Sequence, residues 1–251
     1  MSTCYLSNAS LTKLVSFVVW SWMYLLTFDS AGHKGPEHCS RILALLHGSV
    51  AVVVGSTQCK WRTLTPYYLT KRILPCQYLL MVWSWGYFAF DLLWCLLYWG
   101  NDRVMLCHHA AALFAITRYM QKGHTGCMFA CTLLVLELTN PLLQARWFLK
   151  TAGYGNTKIY LVVEFLYLTL FLALRGVVGT FVMYWVLTTN FFDLEDKILS
   201  TIFYVVSMIF IYDIASYIQY KYKRELVSWF CNLGHKAGAP GFRSLHYHTN
   251  S

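Results

Sequence analysis

Apolar residues in this chain come in long runs broken by short polar gaps, without the regular polar face that a water-soluble helix or strand shows. Seven runs reach spanning length, at roughly 11–28, 39–57, 77–99, 104–121, 124–149, 158–189 and 198–222. Hydrocarbon offers the backbone no water to bond, so each run is predicted as a helix. The expected fold class is therefore all-α: a polytopic membrane protein with seven transmembrane helices. The run 158–189 is too long for an upright helix rising about 1.5 Å per residue, which predicts tilt or a bend near Arg175-Gly176 and Gly179. Pro141 predicts a kink in the fifth run, with a carbonyl freed in the turn before it.

The gaps leave no room for a second folded domain. The expected organisation is an amino-terminal helix and loop over 1–38, a helical membrane domain over 39–230, and a flexible basic tail over 231–251. The first run has only Lys13 as a basic flank and no small-x-small cleavage site near Asp29–Gly32, so it reads as a retained helix, not a signal peptide. Composition agrees: 57% hydrophobic and 12% charged residues are too apolar for a soluble enzyme or a nucleic-acid module. The net charge of +9 sits in the polar gaps, where it reads as a topology signal and as contacts to anionic head groups, with no nucleic-acid partner implied. The nine cysteines are scattered without a C-x-x-C pair, so neither a disulfide framework nor a bound metal is expected. With the amino end outside, the inner face carries ten basic residues (Lys34, Arg41, Arg103, Lys150, Lys158, Lys221, Lys223, Arg224, Lys236, Arg243) against seven on the outer face, which favours that orientation. The sequon at Asn8 is then a candidate glycosylation site.

The candidate chemistry lies in ionisable residues inside the runs, each costing about 2.5–3.5 kcal/mol at a helix centre unless paired or wetted. Depths counted from the face that bears Gly100–Arg103 are about 12 Å for Asp91, about 6–8 Å for His108 and His109, about 14 Å for Asn140, about 9 Å for Glu164 and about 14 Å for Asp213. Five helices thus place polar groups in one slab. Ser84, Tyr87, Asp91 and Tyr98 share one helical face; so do Glu137, Asn140 and Gln144, and likewise Glu164 and Arg175. Such stripes predict a polar, hydrated bundle interior. The adjacent His108 and His109 diverge by about 100°, so one is expected to face the interior and the other a neighbouring helix. A histidine beside Asp91 can act as general base or as acyl-accepting nucleophile, and the alternative for each of these groups is structural pairing or a polar packing seam. His47, nearly mid-span and not level with His108, argues against a haem held between two histidines. Trp83, Trp85, Trp94 and Trp99 read as lipid-facing or interfacial aromatics. Histidine clusters for two irons, H-E-x-x-H, G-x-S-x-G and a phosphate-binding glycine loop are all absent from the sequence, which removes di-iron oxygenase, metalloprotease, serine hydrolase and NTPase.

Three segments together resemble a known family: Gly86-Tyr87-Phe88-Ala89-Phe90-Asp91, the His108-His109 pair, and Leu134 to Pro141 running on to Arg146-Trp147-Phe148. They are similar to the TLC domain, named for translocating-chain-associating, longevity-assurance and ceroid-lipofuscinosis proteins, over about residues 39–230, and most like its small TLC domain-containing transmembrane members. The resemblance implies one leading helix plus a six-helix barrel or bundle with a hydrophobic tunnel. In the family's ceramide synthases acyl-CoA donates its acyl chain to a sphingoid amine and a paired histidine is essential; His108 and His109 match it. Where those enzymes carry a further His-Asp and Asp on the next span, this chain has Glu137, Thr139 and Asn140. The implied function is an endomembrane lipid-handling protein with acyl-CoA as co-substrate and no bound cofactor, in which His108, His109 and Asp91 are catalytic. Tyr87, Glu137, Asn140, Gln144, Glu164, Arg175 and Asp213 line the substrate pocket, and Lys150, Lys158 and Lys221 receive CoA phosphates at the rim. The alternative is a non-catalytic lipid-binding regulator. Membrane lipids are the expected partners, with a homodimer left open, and the endoplasmic reticulum is the expected location ahead of Golgi or plasma membrane.

Overall fold

A computed structural model describes residues 2–31, 34–59, 72–100, 102–124 and 126–236, with side chains placed within 10–30, 34–59, 72–100, 102–124 and 126–223. All regular elements among them are helices: α1 (Ser2–Ala31), α2 (Gly35–Gln58), α3 (Pro75–Tyr98), α4 (Arg103–Lys122), α5 (Gly126–Glu137), α6 (Asn140–Thr151), α7 (Lys158–Phe171), a π-helical stretch (Leu172–Val178), α8 (Gly179–Thr188) and α9 (Leu194–Lys236). Local chemistry sets their ends. Pro36, Pro75 and Pro141 occupy first-turn positions where a missing N–H costs nothing. Asp102 caps α4 by accepting from the Met105 amide at 3.0 Å, and Gly123, at φ 68°, ends it in the left-handed region.

Among the described residues six helical segments are long and apolar enough to cross a membrane: Ser10–Ser30, Gly35–Gln58, Pro75–Tyr98, Gly126–Thr151, Lys158–Thr188 and Leu194–Lys223. The remaining predicted run, 104–121, is α4, a helix of 20 residues whose Arg118, Lys122 and histidine pair lower its apolarity. The kink at Pro141 exists as a break between α5 and α6. The predicted bend near Arg175-Gly176 takes the form of the π-helical stretch, a device frequent at functional sites.

The chain divides into two compact units, 1–209 and 210–251. In the first, α1 packs on α3, α3 on α4, and α2 on α5 and α6, around a core that includes Trp20, Leu43, Met81, Tyr87, Phe88, Phe90, Trp94, Ile116 and Phe129. Trp94 is thus interior and not lipid-facing as predicted, because its indole N–H donates to the Tyr24 hydroxyl at 3.2 Å. The end of the bundle that holds the α4–α5 turn is clamped: Arg118 pairs with Glu195, and Lys122 Nζ reaches Asp196 at 2.7 Å and Asp193 at 3.4 Å. In the second unit α9 continues as helix to Lys236, and the Lys221 ammonium lies over the rings of Tyr217 and Tyr222.

A disulfide joins Cys59, just past α2, to Cys131 in α5, correcting the expectation of none. The partners lie 72 residues apart, so no spacing motif announces them. The bond sits toward the face opposite the 99–102 turn, and disulfides persist in oxidising compartments, which agrees with placing that face outside. Cys59→Ser or Cys131→Ser is expected to destabilise the protein by about 2–4 kcal/mol, read by thermal denaturation in nanodiscs. On a non-reducing gel both variants should migrate like the reduced parent.

Candidate functional site

The site begins with α3. Asp91, 7% exposed, faces inward from this helix and collects three neighbours: His109 Nε2 of α4 at 3.2 Å and the Tyr87 hydroxyl at 3.3 Å on Oδ2, and the Ser40 hydroxyl of α2 at 3.4 Å on Oδ1. A carboxylate buried in hydrocarbon is tolerable only when its lone pairs are met in this way. A neutral imidazole that turns its N–H toward Asp91 carries its lone pair on Nδ1, and His109 Nδ1 is a buried atom with no hydrogen-bond partner among the described residues. His108 diverges as helical geometry requires. Its ring lies 5.4 Å from that of His109 and 6.0 Å from Phe203 of α9, so it faces α9 while His109 faces the interior.

A second imidazole–carboxylate pair adjoins the first. His47 of α2, fully buried, has Nδ1 3.8 Å from Glu137 Oε2 and Nε2 3.3 Å from the Ser84 hydroxyl, and its ring stacks on Tyr87 at 4.0 Å between centroids. Tyr87 therefore joins the two pairs, bonding Asp91 through its hydroxyl and His47 through its ring. The sequence reading passed over His47 because depth alone was compared; the signal was its face, since Ser40, Ala44, His47, Gly48 and Ala51 form the buried side of α2.

From Glu137 a row of side chains leads toward the 99–102 face. Asn140 Nδ2 donates to Glu137 at 2.8 Å, Gln144 Nε2 to Asn140 at 2.8 Å, and Arg41 Nη1 to Gln144 at 3.2 Å, while Arg41 also pairs with Glu37 at 2.8 Å. The predicted stripe on the fifth run is thus real, and Arg41 ends it. Glu164 and Arg175 do not meet. Glu164, fully buried, accepts from Arg146 Nε at 3.0 Å and from the Tyr160 hydroxyl at 3.0 Å. Arg175, in the π-helical stretch, donates to the Leu136 carbonyl at 2.8 Å, beside the break that Pro141 produces, and to the Ser207 hydroxyl at 3.2 Å.

The hydrated chamber expected at this level takes a different form. The polar side chains do turn inward, yet they bond one another, because each helix supplies both donors and acceptors at matching heights. Two concavities among the described residues lie elsewhere. One is an open apolar groove of about 610 Å³ between α4 and α9, lined by Ala111, Phe114, Ile198, Leu199 and Ile202 among others; the second is a shallow depression at Tyr98–Asp102. Lys150 and Lys158 are exposed on either side of the α6–α7 turn. Asp213 is exposed and, with Lys221, belongs to the second unit, so neither is part of this cluster. Asn8 falls within the backbone of α1, and its side chain lies outside the described residues.

A helical bundle whose interior holds two imidazole–carboxylate pairs braced by amides and guanidinium groups defines a multi-pass membrane protein with an intramembrane polar centre. The chain belongs to the TLC domain family, whose TLC domain matches residues 36–224. It is 35% identical over 74 residues to the TLC domain-containing protein 4-B of Danio rerio, a stretch of 29% of this chain and 28% of that protein. It is 33% identical over 73 residues to the protein of the same name from Xenopus laevis, 28% of each chain. The alignments therefore span less than a third of these relatives' length.

Proposed function

We propose that this TLC domain protein handles membrane lipids and that its Asp91–His109 pair transfers an acyl group from acyl-CoA to a lipid amine or hydroxyl. The observation that carries the reading is the placement of His109: Nε2 is 3.2 Å from Asp91 Oδ2, and Nδ1 is buried without a hydrogen-bond partner among the described residues. In this reading Nδ1 takes the proton of the acceptor N–H or O–H as that atom attacks the thioester carbonyl. The carbon–sulfur bond then breaks and CoA leaves as the thiol, carrying away the proton that the imidazole held. Asp91 fixes the tautomer and stabilises the imidazolium. His108 lies on the α9 side, 6.0 Å from the Phe203 ring, and the apolar lining of the groove between α4 and α9 suits a hydrocarbon chain. Lys150 and Lys158 would receive CoA phosphates at the rim. Glu137, Asn140, Gln144 and Arg175 hold the helices that carry the centre. The proposed location is the endoplasmic reticulum.

A second reading, a lipid-binding regulator without turnover, is favoured by the mutual pairing of the polar groups. One experiment separates the two. The protein is purified in nanodiscs, offered acyl-CoA with lipid amines and alcohols, and examined for bound lipid and for an acyl adduct by intact mass, alongside His108→Ala and His109→Ala. Turnover that His109→Ala abolishes supports transfer. Nil turnover with every acyl-CoA, together with a lipid that co-purifies equally with both variants, ends the catalytic reading in favour of the regulator.

A further inference from the structure

Cys95 has no part in the acid–base chemistry, yet it stands one helical turn after Asp91 on α3, on the side that α4 covers. Residues spaced by four on a helix have Cβ atoms about 5–6 Å apart, so a carboxylate and a thiol so placed converge on one point in front of the helix. His109 enters that point from α4. One donor atom each from Asp91, Cys95 and His109 lies within 4.8 Å of the other two, and the three residues are 7%, 2% and 7% exposed. A tetrahedral zinc ion with bonds of about 2.0–2.3 Å separates its ligand atoms by about 3.3–3.6 Å. A His109 nitrogen and an Asp91 oxygen are already 3.2 Å apart, and the Cys95 sulfur lies within 4.8 Å of a donor atom of each.

We propose that Asp91, Cys95 and His109 form a binding site for one divalent cation of the zinc class, and that its occupancy controls the centre described above. The control rests on the acyl-transfer reading; the site does not. The donor set selects the ion, because a thiolate and an imidazole favour zinc over magnesium or calcium. Three protein ligands leave a fourth position open, as in catalytic and regulatory zinc sites and unlike closed structural ones. The outer shell that such sites need is present: Ser40 and Tyr87 hydroxyls at 3.4 and 3.3 Å fix the two carboxylate oxygens. On binding, the Cys95 S–H bond breaks, a sulfur–metal bond forms and the proton leaves to solvent. Nε2 of His109 becomes a ligand and its proton moves by exchange to Nδ1, so the atom proposed to accept the substrate proton is occupied. The metal-loaded protein is then off and the metal-free protein on.

The test uses the full chain in nanodiscs, loaded with cobalt(II) as a spectroscopic probe in place of zinc. One cobalt per chain is expected, with tetrahedral d–d absorption and a thiolate-to-cobalt charge-transfer band. Cys95→Ala loses that band, whereas Cys76→Ala and Cys107→Ala, which remove exposed thiols, keep it. Cobalt no higher than in empty discs, or a spectrum that Cys95→Ala leaves unchanged, overturns the site. Should Cys95→Ala not purify as a single species, His109→Gln is read instead: loss of the cobalt bands upholds the site and their retention overturns it. The two readings fail separately. Cobalt binding without acyl transfer, with or without chelator, upholds the site and ends the transfer reading; transfer indifferent to zinc and chelator in a chain that binds no cobalt does the reverse.

Discussion

His109→Gln is expected to lower acyl transfer by about 10²–10⁴-fold, the range by which a positioned general base accelerates proton transfer. The amide fills a similar volume and can still bond Asp91, so the fold is retained while the basic nitrogen is lost. The loss should fall on kcat, with the KM for acyl-CoA little changed, because Nδ1 acts on the acceptor and not on the thioester donor. Asp91→Asn keeps the shape but offers Nε2 a weaker acceptor, and a smaller drop in kcat is expected. His108→Gln, on the α9 side of the helix, should act chiefly through KM. Steady-state turnover in nanodiscs checks all three, with thermal denaturation confirming that each variant is folded. A loss confined to His108→Gln would transfer the proton-accepting role to that residue.

Gly86→Val is expected to force α1 away from α3 and to destabilise the bundle by at least the about 1–3 kcal/mol typical of overpacking. A Cβ at this position would overlap the Ser16 hydroxyl and stand 2.6 Å from the Ser16 carbonyl carbon, so α1 backbone and not a flexible tip is in the way. Separation also breaks the Trp20 N–H bond to the Trp83 carbonyl, now 3.0 Å, and uncovers the His47–Tyr87 stack. Gly48→Ala is the milder comparison, since its nearest neighbour is the Asn140 amide at 3.1 Å, a side chain able to shift. Thermal denaturation of the three proteins should rank the parent first, Gly48→Ala second and Gly86→Val last.

The helices were legible because hydrocarbon permits few alternatives. Run length marks the spans, Pro141 marks the break between α5 and α6, and the overlong sixth run marks an irregularity near Arg175-Gly176, though not its π-helical form. The inward face of α3 was legible for the same reason: periodicity fixes which residues share a side, and Tyr87 and Asp91 obeyed it. Partners across helices were not legible. Glu164 meets Arg146 and not Arg175, His47 meets Glu137, and Cys59 meets Cys131, because register and rotation between helices depend on small-residue contacts such as Gly48 against Asn140. A polar stripe shows that a helix has an inner side; it does not show whether that side encloses water or another side chain.

The row from Arg41 through Gln144 and Asn140 to Glu137 has a direction, for every donor in it points toward the carboxylate. Neither amide can reverse alone without bringing two N–H groups or two oxygens face to face. Because a guanidinium only donates and a carboxylate only accepts, the two amides between them are held in this one orientation. The Arg41 guanidinium and the Glu137 carboxylate are thereby the fixed positive and negative ends of one polarised row that ties α2 to α5 and α6.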